Sequence, residues 1–185
     1  MKRELIIFQI ITMIFAVSCK KSEVSTIDKY SLKANDIIFQ TIEQTKCSCI
    51  GNIPTETMVE ISNAENPSYD FKTVLKKQLN VKSDSEIDSL INISRNFKLN
   101  IQKLNKHKIK IVSENELLKF GDTSVTKYKR FIKNCPKGII FIQKPIFDKN
   151  YEKAVFDYSS GFSCVKILPS PIYKLENGKW KRIKK

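Results

Sequence analysis

Two segments near the middle of the chain carry apolar residues at helical spacing. Phe71, Val74, Leu75 and Leu79 fall at i, i+3, i+4 and i+8 and predict one helix. Ser83-x-x-Glu86 makes a capping box ahead of Ile87, Leu90, Ile91 and Phe97, which share the stripe of a second. Lys33-Ala34-Asn35-Asp36 supplies capping residues before Ile37, Ile38 and Ile42 and predicts an earlier helix. Between these, the stretch from Cys47 to Pro67 holds Gly51, Pro54 and Pro67 and reads as loop, with one short alternating strand from Met58 to Ile61. His107 to Val112 alternates strictly, with His107, Ile109 and Ile111 on one side and Lys106, Lys108 and Lys110 on the other. Glu114 to Phe120 predicts a helical turn ended by Gly121, and Val125, Tyr128 and Ile132 are in phase for a last helix over Ser124–Lys133.

From Pro136 onward the period shortens. Ile139 to Ile142 is a continuous apolar run suited to a buried strand, Glu152 to Tyr158 alternates with Ala154, Phe156 and Tyr158 on one face, and Ser163 to Leu168 makes a third strand. Asn177-Gly178, between Ile172–Glu176 and Lys179–Ile183, favours a two-residue type I′ hairpin. Helices first and strands afterwards predict an α+β fold, with a C-terminal antiparallel meander and helices packed on one sheet face.

The start of the chain is of another kind. Lys2 and Arg3 precede the 13-residue run Leu5–Val17, interrupted only by Gln9 and Thr12 and too short to span a bilayer comfortably. Ala16-Val17-Ser18-Cys19 follows. A basic start, an apolar core and small residues at the end make a secretory signal, and the tetrapeptide resembles the lipobox of bacterial lipoproteins. That resemblance implies a diacylglyceryl thioether on Cys19, cleavage before it and acylation of the new amino group. The expected organisation is a signal over 1–18, the lipidated Cys19 with a tether over 19–26, and one domain over 27–185. Such a chain would sit in the cell envelope, facing the periplasm from the outer membrane, because Lys20-Lys21-Ser22-Glu23 lacks an acidic cluster for surface display.

Four cysteines then remain: Cys47, Cys49, Cys135 and Cys164. An even number in an exported chain predicts disulfides. Cys47 and Cys49 are too close to pair without strain, so one or two bridges to Cys135 and Cys164 are favoured, with Cys135–Cys164 alone as the alternative. Cys47-Ser48-Cys49 as a redox pair lacks a Cys-x-x-Cys context, and zinc held by cysteines and His107 lacks a second histidine.

The net charge of +14 on 185 residues changes less than it promises. It comes from 29 lysines and only 4 arginines, beside 26 isoleucines and 13 asparagines, the composition of an AT-biased coding sequence. Arginine is the side chain that reads bases and phosphates bidentately, so nucleic acid is not an expected partner. Loss of residues 1–18 would remove Lys2, Arg3 and Glu4, one unit of net charge. The only organised cationic feature is Lys106, Lys108 and Lys110, about 6.6–6.8 Å apart if on one strand face. That stripe would suit an anionic envelope lipid or glycan, or simply block edge pairing.

Among motifs that carry chemistry, Gly-x-Ser-x-Gly, His-Glu-x-x-His and a phosphate-cradling glycine loop are all missing from the sequence. One histidine removes most triads and two-histidine metal sites, and Glu114 and Glu116 make no acid–base pair. No cofactor is expected. Asp88-Ser89-Leu90 resembles a short bacterial O-glycosylation acceptor. Lys144-Pro145-Ile146-Phe147-Asp148-Lys149-Asn150-Tyr151-Glu152-Lys153-Ala154, with Asn177-Gly178-Lys179-Trp180-Lys181, resembles the end of a group of uncharacterised bacterial envelope lipoproteins. It implies the same address and no activity. The sequence therefore predicts a lipid-anchored binding or assembly module with an envelope protein, lipid or glycan as partner. An exported thiol-redox or hydrolytic enzyme is the alternative.

Overall fold

The computed structural model describes residues 25–119, 125–161, 164 and 172–183, which hold seven helices and eight strands in an α+β arrangement. The expected leader with Cys19, most of the expected tether and, apart from Cys164, the expected strand Ser163–Leu168 lie outside the described residues.

Helix α1 (Thr26–Thr45) is the central strut. Ser25 caps it by accepting from Asp28 N, several residues before the caps expected at Lys33–Asp36. Tyr30, Ala34, Ile37, Ile38 and Ile42 recur at helical spacing and are buried. Buried polar residues on the same helix find partners. Asn35 donates to Lys98 O at 2.8 Å and accepts from Asn100 N at 2.7 Å, and Thr41 donates to Ile37 O. Tyr30 donates its hydroxyl to Pro145 O at 2.7 Å, and Gln40 brackets the backbone of Trp180 through both amide atoms. Each satisfied group removes a desolvation cost of about 1–3 kcal/mol.

One sheet contains β1 (Cys49–Gly51), β2 (Lys110–Val112), β3 (Ile139–Ile142) and β6 (Tyr158–Gly161) in the order β2-β1-β3-β6. β1 runs parallel to both β2 and β3, and β3 pairs antiparallel with β6. The other sheet is antiparallel throughout, β4 (Ile146–Phe147), β5 (Lys153–Val155), β7 (Ile172–Glu176) and β8 (Lys179–Arg182). Asn177 and Gly178 have φ of 51° and 73°, as the expected hairpin requires.

Helices lie against both faces of these sheets. Ile146 and Val155 join a cluster with Leu75, Leu79, Ile87 and Ile91 from α3 (Phe71–Leu79) and α4 (Asp84–Arg95). The alternate residues Phe147 and Ala154 face the α1 cluster with Tyr173 and Trp180. In the mixed sheet, Ile50, Ile140 and Ile142 turn to α1, while Cys49 and Ile139 turn to Phe131 and Cys135 at the end of α7 (Val125–Asn134). Ile139, Ile140 and Ile142 are therefore buried on both faces of β3, while Phe141 between them is 38% exposed. Gly51 packs closely on β3: a Cβ there would lie 2.6 Å from Phe141 Cδ1 on the neighbouring strand and would force that ring to shift.

Three local expectations are corrected. Met58–Ile61 is the first turn of α2 (Met58–Glu65), not a strand. Thr57 and Glu60 close a capping box over it, which satisfies helix N–H groups that no neighbouring strand could. Glu152–Tyr158 is not one strand: β5 ends at Val155 and β6 begins at Tyr158, so the chain changes sheets at Phe156–Asp157. His107–Val112 is strand only from Lys110. Asn100 caps α5 (Ile101–Lys106) and Lys108 takes a left-handed φ of 55°, so alternation is lost before Lys110.

Candidate functional site

The break at Lys108 dissolves the lysine stripe. Lys106 ends α5, Lys108 occupies the turn, and Lys110, on β2, pairs with Glu116 at 3.1 Å, so the three do not share one strand face. Glu116 also closes the capping box of α6 (Glu114–Leu118), and hydrogen bonds from Ser113 and Lys110 hold its carboxyl below the usual range. His107 is exposed rather than packed on an apolar sheet face. Its ring lies 6.0 Å from that of Phe39, and its Nε2 is 3.9 Å from Glu43. Ser89 of the short Asp-Ser-Leu motif is exposed on α4.

The cysteines form two bridges, Cys47–Cys164 and Cys49–Cys135. Cys47, Cys49 and Cys135 are buried. Cys47 and Cys49 thus hold separate, distant partners, fastening the start of β1 to both flanks of β3, and do not form a dithiol pair with each other.

The most distinctive group of side chains lies where the parallel strands end. β1 leaves the sheet at Gly51 and continues as Asn52–Thr57, with Asn52 N donating to Val112 O at the end of β2. A cleft of about 320 Å³ opens there, lined by Asn52, Ile53, Pro54 and Thr55, by Phe97, Leu99 and Ile101, by Ile111, and by Arg95 and Lys144. The carboxyl ends of parallel strands are a usual place for ligands in open sheets containing parallel strands, and this volume is at the lower end for small-molecule sites. No known protein family, curated protein or solved structure matches the chain.

Arg95 at the end of α4 is half exposed and pairs with Glu60 Oε1 at 2.7 Å. Glu60 is fixed from the other side, its Oε2 accepting from Thr57 N at 2.8 Å and from Thr57 Oγ1 at 2.9 Å. Those bonds, followed by the Arg95 contact, hold its carboxyl below the usual range. Lys144, two residues past β3, is only 5% exposed. Its Nζ donates to Thr55 O, and no carboxylate of the described residues lies within ion-pair distance of it. Burial pulls the ammonium below the ordinary lysine value; Glu56 and Glu60 offset this from farther away, while Arg95 adds to it. In an NMR titration the Lys144 ε-methylene should therefore turn over at lower pH than the exposed lysines. Titration with the bulk would mean that the ammonium is solvated.

Two further hollows are less suited. A cleft of about 210 Å³ on the other side of the Asn52–Pro54 loop includes Phe141, Gln143 and Asp157, whose carboxyl is raised by burial. A roomier one, about 460 Å³, is lined by Lys82, Lys149 and Lys153 against Glu86, Asp148 and Glu152. Its charges balance, and Asp148 already accepts from two backbone N–H groups.

Arg95 and Lys144 were not singled out by the sequence pattern. Two signals could have found them: Arg95 is one of 4 arginines beside 29 lysines, and Lys144 closely follows the apolar run Ile139–Ile142.

Proposed function

We propose that the chain is an exported envelope protein anchored by lipid on Cys19, facing the periplasm from the outer membrane, and that its domain is a binding module. The observation that carries the reading is the order Lys2-Arg3, Leu5–Val17, Ala16-Val17-Ser18-Cys19. Two disulfides support export, because such bridges persist in oxidising compartments. Only Lys20–Val24 separate Cys19 from the cap of α1, which limits the tether to a reach of roughly 20 Å. Binding rather than thiol chemistry is favoured by the buried, separately paired Cys47 and Cys49 and by the cleft at Lys144. Two or three acyl chains make attachment long-lived, whereas one holds a protein only marginally. Cys19→Ala should lose palmitate labelling and leave the membrane fraction. Labelling and membrane attachment that survive the substitution would overturn the anchor.

A further inference from the structure

The cleft at the ends of β1 and β2 contains two cations and no carboxylate among its lining residues. The two cations are not equivalent. Arg95 is already neutralised by Glu60 across the rim, at 2.7 Å, and keeps further N–H donors because a guanidinium has five. Lys144 is the reverse case. Its ammonium has three donors, one hydrogen bond to Thr55 O and no ion-pair partner among the described residues, on a residue that is only 5% exposed. A buried charge without a partner is costly, and proteins pair such charges or coordinate them. The rest of the wall is apolar: Ile53, Pro54, Phe97, Leu99 and Ile111, with Ile101 left 47% exposed at the edge.

From these groups we propose that the cleft binds a small monocarboxylate with an apolar tail, its carboxylate on Lys144 and Arg95 and its tail along Phe97, Leu99, Ile101 and Ile111. A single negative charge fits better than two because Glu60, bound to Arg95, and the more distant Glu56 already offset part of the positive charge of the two cations; a dianionic phosphate would have no counterpart for its second charge. The volume of about 320 Å³, at roughly 30 Å³ per water-sized unit, holds roughly ten non-hydrogen atoms, the size of octanoate. The exposed Ile101 is accounted for as well, since the tail would cover it. This inference deepens the binding-module reading and rests on that part of it, but it does not depend on the anchor.

The test is calorimetric titration of the full chain as purified from cells, with its dialysis buffer as the blank and octanoate, octanol and inorganic phosphate as probes. Octanoate should bind saturably at one site, more tightly than octanol by at least about tenfold, the usual worth of a hydrogen bond to a charged group. Phosphate should not bind comparably. Lys144→Met should lose at least about tenfold in octanoate affinity, with its fold checked by circular dichroism. Ile101→Glu changes an exposed residue and keeps both cations, so it should fold and still weaken octanoate by placing a carboxylate at the rim. Absence of saturable octanoate binding, equal binding of octanol, preference for phosphate, or unchanged affinity in Ile101→Glu would each overturn the proposal. Membrane release of Cys19→Ala beside failed octanoate binding would leave the anchor standing, and the opposite pair of results would leave only the cleft.

Discussion

With both disulfides reduced, the domain is expected to be unfolded at 25 °C, although either bridge alone should suffice to keep it folded. The reason lies in how the loops nest. Cys49–Cys135 closes a separation of 86 residues, and Cys47–Cys164 closes 117 around it. In the chain-entropy description the inner loop is worth about 4–5 kcal/mol. Once it is closed, the outer bridge constrains only segments 47–49 and 135–164 and adds about 3–4 kcal/mol. Removing one bridge from the pair therefore costs about 3–4 kcal/mol, whereas removing both costs roughly 8, comparable with the whole stability of an ordinary domain. Urea unfolding of the full chain followed by circular dichroism checks this, using Cys49→Ala with Cys135→Ala, Cys47→Ala with Cys164→Ala, and the wild type with and without reductant. The single-bridge chains should also show steeper transitions, since their unfolded states expose more surface. A reduced chain that keeps a native transition within about 1 kcal/mol of the oxidised one would show that packing alone specifies the fold. The expected result ties folding to address: a copy retained in a reducing compartment would not become stable.

Legibility in the sequence follows how local each determinant is. The hairpin at Asn177-Gly178 is fixed by two residues that accept positive φ, and it is found where expected. α3 and α4 each carry an apolar stripe behind a capping residue, Asp70 and Ser83, and need no distant information. The parallel pairs β1–β2 and β1–β3 escaped because β1 has only three residues, too few to declare a period, and its partners arrive only after helices. Alternation misled where a cap outweighed it, at Thr57–Glu60 and at Asn100. The candidate cleft was the least legible part. Lys144 resembles the other lysines until tertiary structure buries it against Thr55, and Arg95 gains its meaning from Glu60, two helices away. The cysteine count limited the pairing to a few choices, and the strand register selected among them, since β1 lies beside β3 between Cys135 and Cys164.

Phe156→Ala is expected to cost about 3–5 kcal/mol, the range for emptying a large aromatic site that cannot collapse. Phe156 is fully buried at the point where the chain passes from β5 in one sheet to β6 in the other. Its ring lies 5.6 Å from that of Tyr158 and 5.9 Å from that of Tyr173, one contact toward each sheet. The surrounding backbone is pinned: Gln143 N donates to Asp157 O at 3.1 Å, and Tyr158 N donates to Asp157 Oδ1 at 2.8 Å. These bonds prevent the walls from closing on the vacancy, so the cavity cost adds to the lost burial. Phe156→Leu keeps most of the volume and should cost roughly 1–2 kcal/mol. Native-state hydrogen exchange distinguishes a joint core from two separate ones. If Phe156 joins the sheets, β3 and β7 lose protection together in Phe156→Ala, by the same free energy as the global transition. Protection lost in β7 alone would mean that the mixed sheet, with α1 and its two disulfides, holds itself together without the antiparallel one.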